Sequence, residues 1–438
     1  MRLRSFAVEP LFIVLLTCIP ASICVAQTPP ASFRVGANRQ HSTSGIVIDA
    51  SPGEWSQLAK LLAPPNSSSL SENVAGISGD TLVIGGTPFG GASNTVGSVF
   101  LRTSQGWRTA PPVATLTAPI LSEPYPSAVA IDGDTIVAAG DIGAFGDTGY
   151  AFVYVKPVGG WTDMTPTAVL SSSDGSDLDF GGVIAVSGDT VVIGSDGYLS
   201  DRTGTVYVYV KPAGGWHDMT ETAKLTASDG LATDQFGWSV SISGRTIVVG
   251  AIQFAIQNPG PGKAYVFERP VAVWMNMTQT AELTASDFST EEYVGFSVAV
   301  DGGVVVVGAP IYDHFLGAAL VYERPASGWA DTTETARLTP GDGLSSGNFA
   351  SSIGISGKLI VAGTPYRGAP PNGGEGGVYV FEEPTGGWQD ASSHIVLTAA
   401  DGHYSAYIGY HVAVSGKTIV GVTEPYSGGA GGYVFGVP

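Results

Sequence analysis

Ile242–Ala251 reads ISGRTIVVGA: an apolar run, a Ser-Gly-Arg-Thr break, and a second run that is almost wholly β-branched. Glycine tolerates positive φ, and a Ser or Asp beside it bonds nearby backbone, so the break has the chemistry of a hairpin turn. The run after it reads as a strand buried on both faces. The same signature recurs as ISGDTLVIGG from Ile77, IDGDTIVAAG from Ile131, VSGDTVVIGS from Val186, VDGGVVVVGA from Val300, ISGKLIVAGT from Ile355 and VSGKTIVGVT from Val414. The turn glycines (Gly79, Gly133, Gly188, Gly244, Gly302, Gly357 and Gly416) stand 54, 55, 56, 58, 55 and 59 residues apart. Near-equal spacing of one signature marks a repeat architecture rather than a string of unlike domains.

Two more elements fill each unit. A third strand follows a loop of variable length, as in TVYVYV from Thr205, KAYVFE from Lys263 and GVYVFE from Gly377. A fourth element opens at a tryptophan and runs to Leu-Thr, as in Trp216…AKLT and Trp274…AELT, with Trp55 and Trp107 counted in the same series. Four short strands repeated radially are the signature of a propeller. The series begins with a tryptophan element near Trp55 and ends with a third-strand element near Tyr433, so the strand count balances only around a ring. The sequence therefore predicts an all-β fold: a seven-bladed β-propeller of four-stranded antiparallel blades, closed where the N-terminal strand joins the C-terminal blade and leaves no free edge.

The chain opens with Arg2 and Arg4, an apolar stretch from Leu11 to Val25 and a small-residue exit at Ala26, the pattern of a secretory signal peptide. The domain reading is a signal peptide over 1–26, a flexible lead-in rich in Pro, Ser, Gly and Ala over 27–53, and the propeller over 54–438. No later stretch has the length of apolar sequence that a membrane-spanning helix needs. Both cysteines, Cys18 and Cys24, fall inside the leader, so the mature chain has neither disulfide nor thiolate metal ligand. The formal charge of −19, with only 19 Lys and Arg, speaks against a nucleic-acid partner.

FGWSVSISGRTIVVGA (Phe236–Ala251), followed by GKAYVFE, and VGFSVAVDGGVVVVGAP (Val294–Pro310) resemble FG-GAP repeats. That resemblance implies the seven-bladed propeller of integrin α-subunits and of many bacterial exported proteins, and a habit of extracellular recognition without a catalytic site. Phe180-Gly181 and Phe236-Gly237 keep the first motif, Phe349-Ala350 and Ile408-Gly409 alter it, and Gly308-Ala309-Pro310 is the complete second motif. Calcium-binding copies of the family carry an Asp-x-Asp-x-Asp-Gly loop between the first two strands. Here that loop is only Ser-Gly-Asp-Thr or similar, so no cofactor is expected from the resemblance.

The remaining calcium candidates are Asp174, Asp177 and Asp179, three carboxylates just before Phe180. Sparse carboxylates fall short of the six or more oxygens that calcium takes, so the competing reading is an inter-blade turn. The six histidines show no metal-binding spacing, and no serine stands in a nucleophile elbow. The repeated tryptophans read as fillers of one inter-blade gap, which leaves Trp238, outside the series, unexplained. Loops after the second strand vary most among units, and variable loops on one face of a rigid repeat carry binding specificity. Phe89, Phe254, Tyr366 and Arg367 on those loops are the candidate partner-contacting residues. The function expected is an exported, non-enzymatic recognition, adhesion or structural module for a protein or glycan, in the periplasm, at the cell surface or outside the cell. A lyase or hydrolase with its site in the central channel, and a calcium-dependent adhesion protein, stay open as alternatives.

Overall fold

A computed structural model describes residues 46–48, 55–62, 74–86, 94–118, 126–140, 149–175, 179–198, 202–253, 260–270, 273–287, 292–342, 347–368, 374–393, 395–401, 407–423 and 431–437. These form seven sheets, one around each turn glycine, numbered here as blades 1 (Gly79) to 7 (Gly416). Blade 4 shows the plan. Its inner strand Ser239–Ser243, second strand Thr246–Ala251, third strand Lys263–Glu268 and outer strand Ala281–Thr284 pair antiparallel in sequence order. In blade 7 the outer strand is N-terminal: Ser56–Leu61 pairs antiparallel with Gly432–Gly436. The ring closes as the strand count requires. Of the 27–53 lead-in, Ile46–Ile48 is described, and it pairs in parallel with Ala391–Ser393 at the rim of blade 5.

The inner hairpins meet the channel axis through two-residue turns. Ser243 pairs with Thr246, leaving Gly244-Arg245 at the tip, and all seven turn glycines sit at φ between 54° and 58°. Glycine in the first turn position is what this turn class requires. The Ser or Asp before each glycine does not bond its own turn, as the sequence suggested, but reaches the next blade. Ser78 accepts the Gly133 N–H, Asp132 that of Gly188, Ser187 that of Gly244, Ser243 that of Gly302, Asp301 that of Gly357, Ser356 that of Gly416, and Ser415 that of Gly79. The lengths run from 2.7 to 3.2 Å, and the seventh bond joins the last blade to the first. A side chain chosen for local turn chemistry thus also stitches the lower mouth of the channel.

There is no single core; each pair of neighbouring blades has its own. Between blades 3 and 4, Val206 and Val208 meet Tyr265, Phe267 and Trp274. Between blades 2 and 3, Val137 and Val153 meet Tyr207, Tyr209 and Trp216. Third strands therefore turn aromatics back to the preceding blade and valines forward to the next, and both faces are buried (Tyr207 1 %, Val208 0 % exposed). Each face is covered by a neighbouring blade.

The tryptophan series also needs correction. Trp107, Trp161, Trp216, Trp274, Trp329 and Trp388 are 2–7 % exposed. Trp55 is only partly buried against the interface of blades 6 and 7. It stands four residues before Ala59, whereas Trp216 stands seven before the equivalent Ala223, so it occupies a different register. The residues after the six true members form a rim clasp. Asp218, two after Trp216, accepts the Val169 N–H at 2.9 Å, and Met219–Thr220 bridges Leu170–Ser171 in parallel, both on blade 2. Asp163, Asn276, Asp331 and Asp390 make the same bond at their interfaces, at 2.8–2.9 Å. The fourth element is thus no continuous strand from the tryptophan. Its first half clasps the preceding blade, and its second half completes its own.

Candidate functional site

Inner strands run from an upper mouth down to the glycine turns, so the inter-blade loops and the loops after each second strand share the upper face. Aspartates fix the inter-blade loops there. Asp174 accepts hydrogen bonds from Lys224 and from the Tyr207 hydroxyl, the latter at 2.8 Å. Asp229 takes Lys263 and Tyr265, Asp287 takes Arg337 and Tyr312, and Asp401 takes Lys60 at 2.5 Å and Tyr433 at 2.9 Å. Arg367 Nε donates to Asp342 at 2.8 Å in the same place on blade 6. Each aspartate belongs to the loop entering a blade, and its partners lie on that blade.

The charges are tuned to match. The Lys224 hydrogen bond, with help from Tyr207 and against the effect of burial, holds the Asp174 carboxyl below the usual carboxylate range. Burial opposes ionisation of Asp229, Asp287 and Asp401, but bonds from Lys263, Arg337 and Lys60 together with the tyrosines more than offset it, and these groups also sit low.

Of the calcium candidates, Asp174 is therefore engaged with protein partners, Asp179 is 4 % exposed, and Asp177 lies outside the described residues. Among the described residues no group of three or more His, Cys, Asp and Glu could hold a metal. Of the partner-contact candidates, Tyr366 is half-buried and stacks edge-on against Tyr407 with centroids 5.6 Å apart, and Arg367 is spent on Asp342. Phe89 and Phe254 lie outside the described residues.

His411 is explained by its place in the repeat. Ser352 Oγ accepts the Val412 N–H at 2.9 Å between blades 6 and 7, and His411 Nδ1 accepts the Ala75 N–H at 3.3 Å between blades 7 and 1. An accepting Nδ1 needs the neutral ring, and burial pulls the imidazole from 6.5 to about 4. The folded chain then binds fewer protons than the unfolded one between those values, so stability is full above pH 6.5 and falls as pH drops through the window. This group accounts for about 3 kcal/mol of that loss. H411S, which installs the serine found in blades 4 to 6, is expected to flatten the melting temperature between pH 6.5 and 4 and to leave it nearly unchanged at neutral pH.

Above these bonds blades 3 to 7 each begin at a buried apolar residue followed by a tight bend. Phe236 is 0 % exposed and meets Tyr265 and Phe267 edge-on, at 5.3 and 5.9 Å. Phe180 and Phe349 repeat the arrangement against their own blades' third strands. The glycine after it lies at positive φ, as in Gly295 (94°), and presses against the glycine near the end of the preceding blade's second strand. A Cβ on Gly250 would stand 2.0 Å from the Gly295 carbonyl. The FG-GAP repeat model matches residues 219–267, 277–322 and 332–381.

The chain is a seven-bladed β-propeller that carries FG-GAP repeats. Its FG and GAP positions are two sides of one inter-blade backbone contact, in which a Cβ on the GAP glycine would collide with the next blade's backbone carbonyl. Each matched FG-GAP segment starts at a rim clasp and takes the outer strand of one blade with the first three strands of the next. The sequence repeat is thus one strand out of phase with the blade, and that offset is what leaves an N-terminal strand to close the ring. Where the FG-GAP pattern lapses, Ala350 takes the glycine position at φ 65°. A350G is expected to stabilise the protein by about 1 kcal/mol by relieving that left-handed conformation, read as a rise in denaturation midpoint.

No curated protein sequence matches the chain. In a comparison of structures, the chain is similar to the crystal structure of the computationally designed Ika8 protein, at 14 % identity and a TM-score of 0.46, over 87 % of this chain and 99 % of that one. Among the described residues no helix is long and apolar enough to cross a membrane.

Proposed function

We propose that this FG-GAP propeller is an exported, non-enzymatic recognition module that binds a protein or glycan through its upper face. The carrying observation is where the repeats stop being alike. The lower turns and rim clasps are nearly uniform, while the loops after the second strands differ in length and composition, from PFGGASNTV at Pro88 to PYRGAPPNGGEGG at Pro365. Among the described residues the two exposed aromatic side chains, Tyr198 and Phe315, both belong to these upper loops. Phe315 ends a turn in which Asp313, His314 and Phe315 all take positive φ (46°, 60° and 70°). Consecutive non-glycine residues in that region cost about 1–3 kcal/mol each and are characteristic of presented functional loops. The aspartate bonds beneath give such loops a rigid base.

The leader supports export, and the mature protein is proposed to begin at Gln27. N-terminal mass analysis of protein recovered outside the cytoplasm tests this directly. For the binding face, labelled protein is applied to cell-envelope and extracellular-matrix fractions. Variants with residues 254–259 or 369–373 replaced by Gly-Ser, or with Phe315 and Tyr198 changed to Ser, are expected to lose capture, while R245S in a lower turn retains it. Equal capture by upper and lower variants would overturn the reading.

A further inference from the structure

At the upper mouth of the channel the repeat breaks its own symmetry. The residue after each FG position is Gly182 in blade 3, Trp238 in blade 4, Phe296 in blade 5, Ser351 in blade 6 and Tyr410 in blade 7. All five, with His411, line one cavity of about 130 Å³ on the channel axis. Nothing in the blade packing asks for an aromatic here, since glycine and serine serve equally well in blades 3 and 6. Two of these residues carry a polar atom that is buried with no hydrogen-bond partner among the described residues: the Trp238 indole N–H, on a side chain only 2 % exposed, and the Ser351 hydroxyl. Nearby, Trp238 and Phe296 pack with ring centroids 5.5 Å apart. His411 uses Nδ1 as an acceptor, which puts the proton of the neutral ring on Nε2 and makes it a second obligatory donor.

Charge and donor count select the ligand. Among the described residues no charged side chain lines the cavity. An anion would enter a chain of formal charge −19 without a compensating cation. Aromatic faces attract cations, but the indole and imidazole N–H groups present the wrong end of their dipoles to one. A neutral molecule carrying acceptor oxygens on a compact ring satisfies all three constraints. We propose that the upper mouth of the channel binds a single uncharged sugar ring, its oxygens meeting Trp238, Ser351 and His411 and its apolar face meeting Phe296 or Tyr410. Among the described residues the lining comes from the inner strands and the turns that enter them, not from the loops after the second strands, so the site is argued from different residues than partner capture by those loops.

Saturation-transfer NMR and titration calorimetry on the full mature chain test this with the methyl glycosides of glucose, galactose, mannose and N-acetylglucosamine. Glucuronate, glucosamine and choline serve as charged comparators. At least one neutral glycoside is expected to bind, with each comparator weaker. W238F removes the indole N–H while installing the residue that blade 5 carries at this position, and S351A removes the hydroxyl. Each is expected to weaken binding about three- to tenfold without lowering the melting temperature appreciably. The 254–259 and 369–373 loop variants should bind the glycoside as the wild type does, which separates failure here from failure of the loop-face reading. The proposal is overturned if no neutral glycoside binds, if a charged comparator binds as well, or if folded W238F and S351A bind unchanged.

Discussion

Deletion of Ser56–Leu61 is expected to remove more than about 5 kcal/mol, enough to unfold a domain of ordinary stability. The six residues are a small part of the chain, yet they touch two interfaces. Ala59 (2 % exposed) and Leu61 (1 %) sit in the core between blades 7 and 1, beside Leu82, Phe100 and Trp107. Lys60 N donates to Thr109 Oγ1 of blade 1 at 3.0 Å, and Gln57 Oε1 accepts the Ala400 N–H from the loop leaving blade 6 at 2.9 Å. Losing the strand would also bare the edge of Gly432–Gly436, an open template for pairing with another chain. A permuted chain beginning at Val74, with residues 55–62 attached after Val437 through a flexible linker, restores every one of these contacts in a new order. It is expected to fold to a monomer with a cooperative melt, whereas the plain deletion is expected to aggregate. A deletion that melts like the wild type would mean that the ring is held by the other six blades alone.

How much of this was legible follows from what kind of contact each residue makes. The turn glycines, β-branched second strands and circular strand count are local or counting signals, and blade number, strand order and the closing strand could be read from them. What was not legible is contact between repeats. Ser187 and Asp132 look like turn residues, and they are, but their hydrogen bonds go to a glycine 57 and 56 residues ahead. Asp218 and Met219 look like the start of a strand because only the neighbouring blade shows that they belong to a clasp. Asp174 was singled out for its carboxylate, and nothing nearby in sequence announces Lys224 as its partner 50 residues on. A sharper reading was available for two residues. Aligning the units at Ala223 rather than at the tryptophans puts Trp55 out of register, and aligning them at the FG pair places His411 in the serine column, both from sequence alone. The channel mouth gave one signal, the unexplained Trp238, but its meaning depended on seeing Phe296, Ser351 and Tyr410 around the same cavity.

W274A is expected to cost about 3–5 kcal/mol, measured by denaturant unfolding, and W274F about 1.5 kcal/mol or less. Trp274 has the largest fully buried side chain among the described residues (2 % exposed) and lies among Val206, Val208, Phe236 and Tyr265 between blades 3 and 4. Its indole N–H, like those of the other five interface tryptophans, has no hydrogen-bond partner among the described residues. Removing that N–H therefore breaks no bond, and phenylalanine keeps most of the ring that fills the gap. Alanine instead leaves a cavity between two β-sheets whose backbones are already in contact through the glycines above and cannot close over it. The contrast between the two variants separates packing from hydrogen bonding: a W274F as damaging as W274A would show that the N–H, not the volume, holds the interface. Trp55 supplies the internal control. Partly buried and out of register with the other six, it should lose less on W55A than Trp274 does on W274A, because less of its surface is removed from water in the first place.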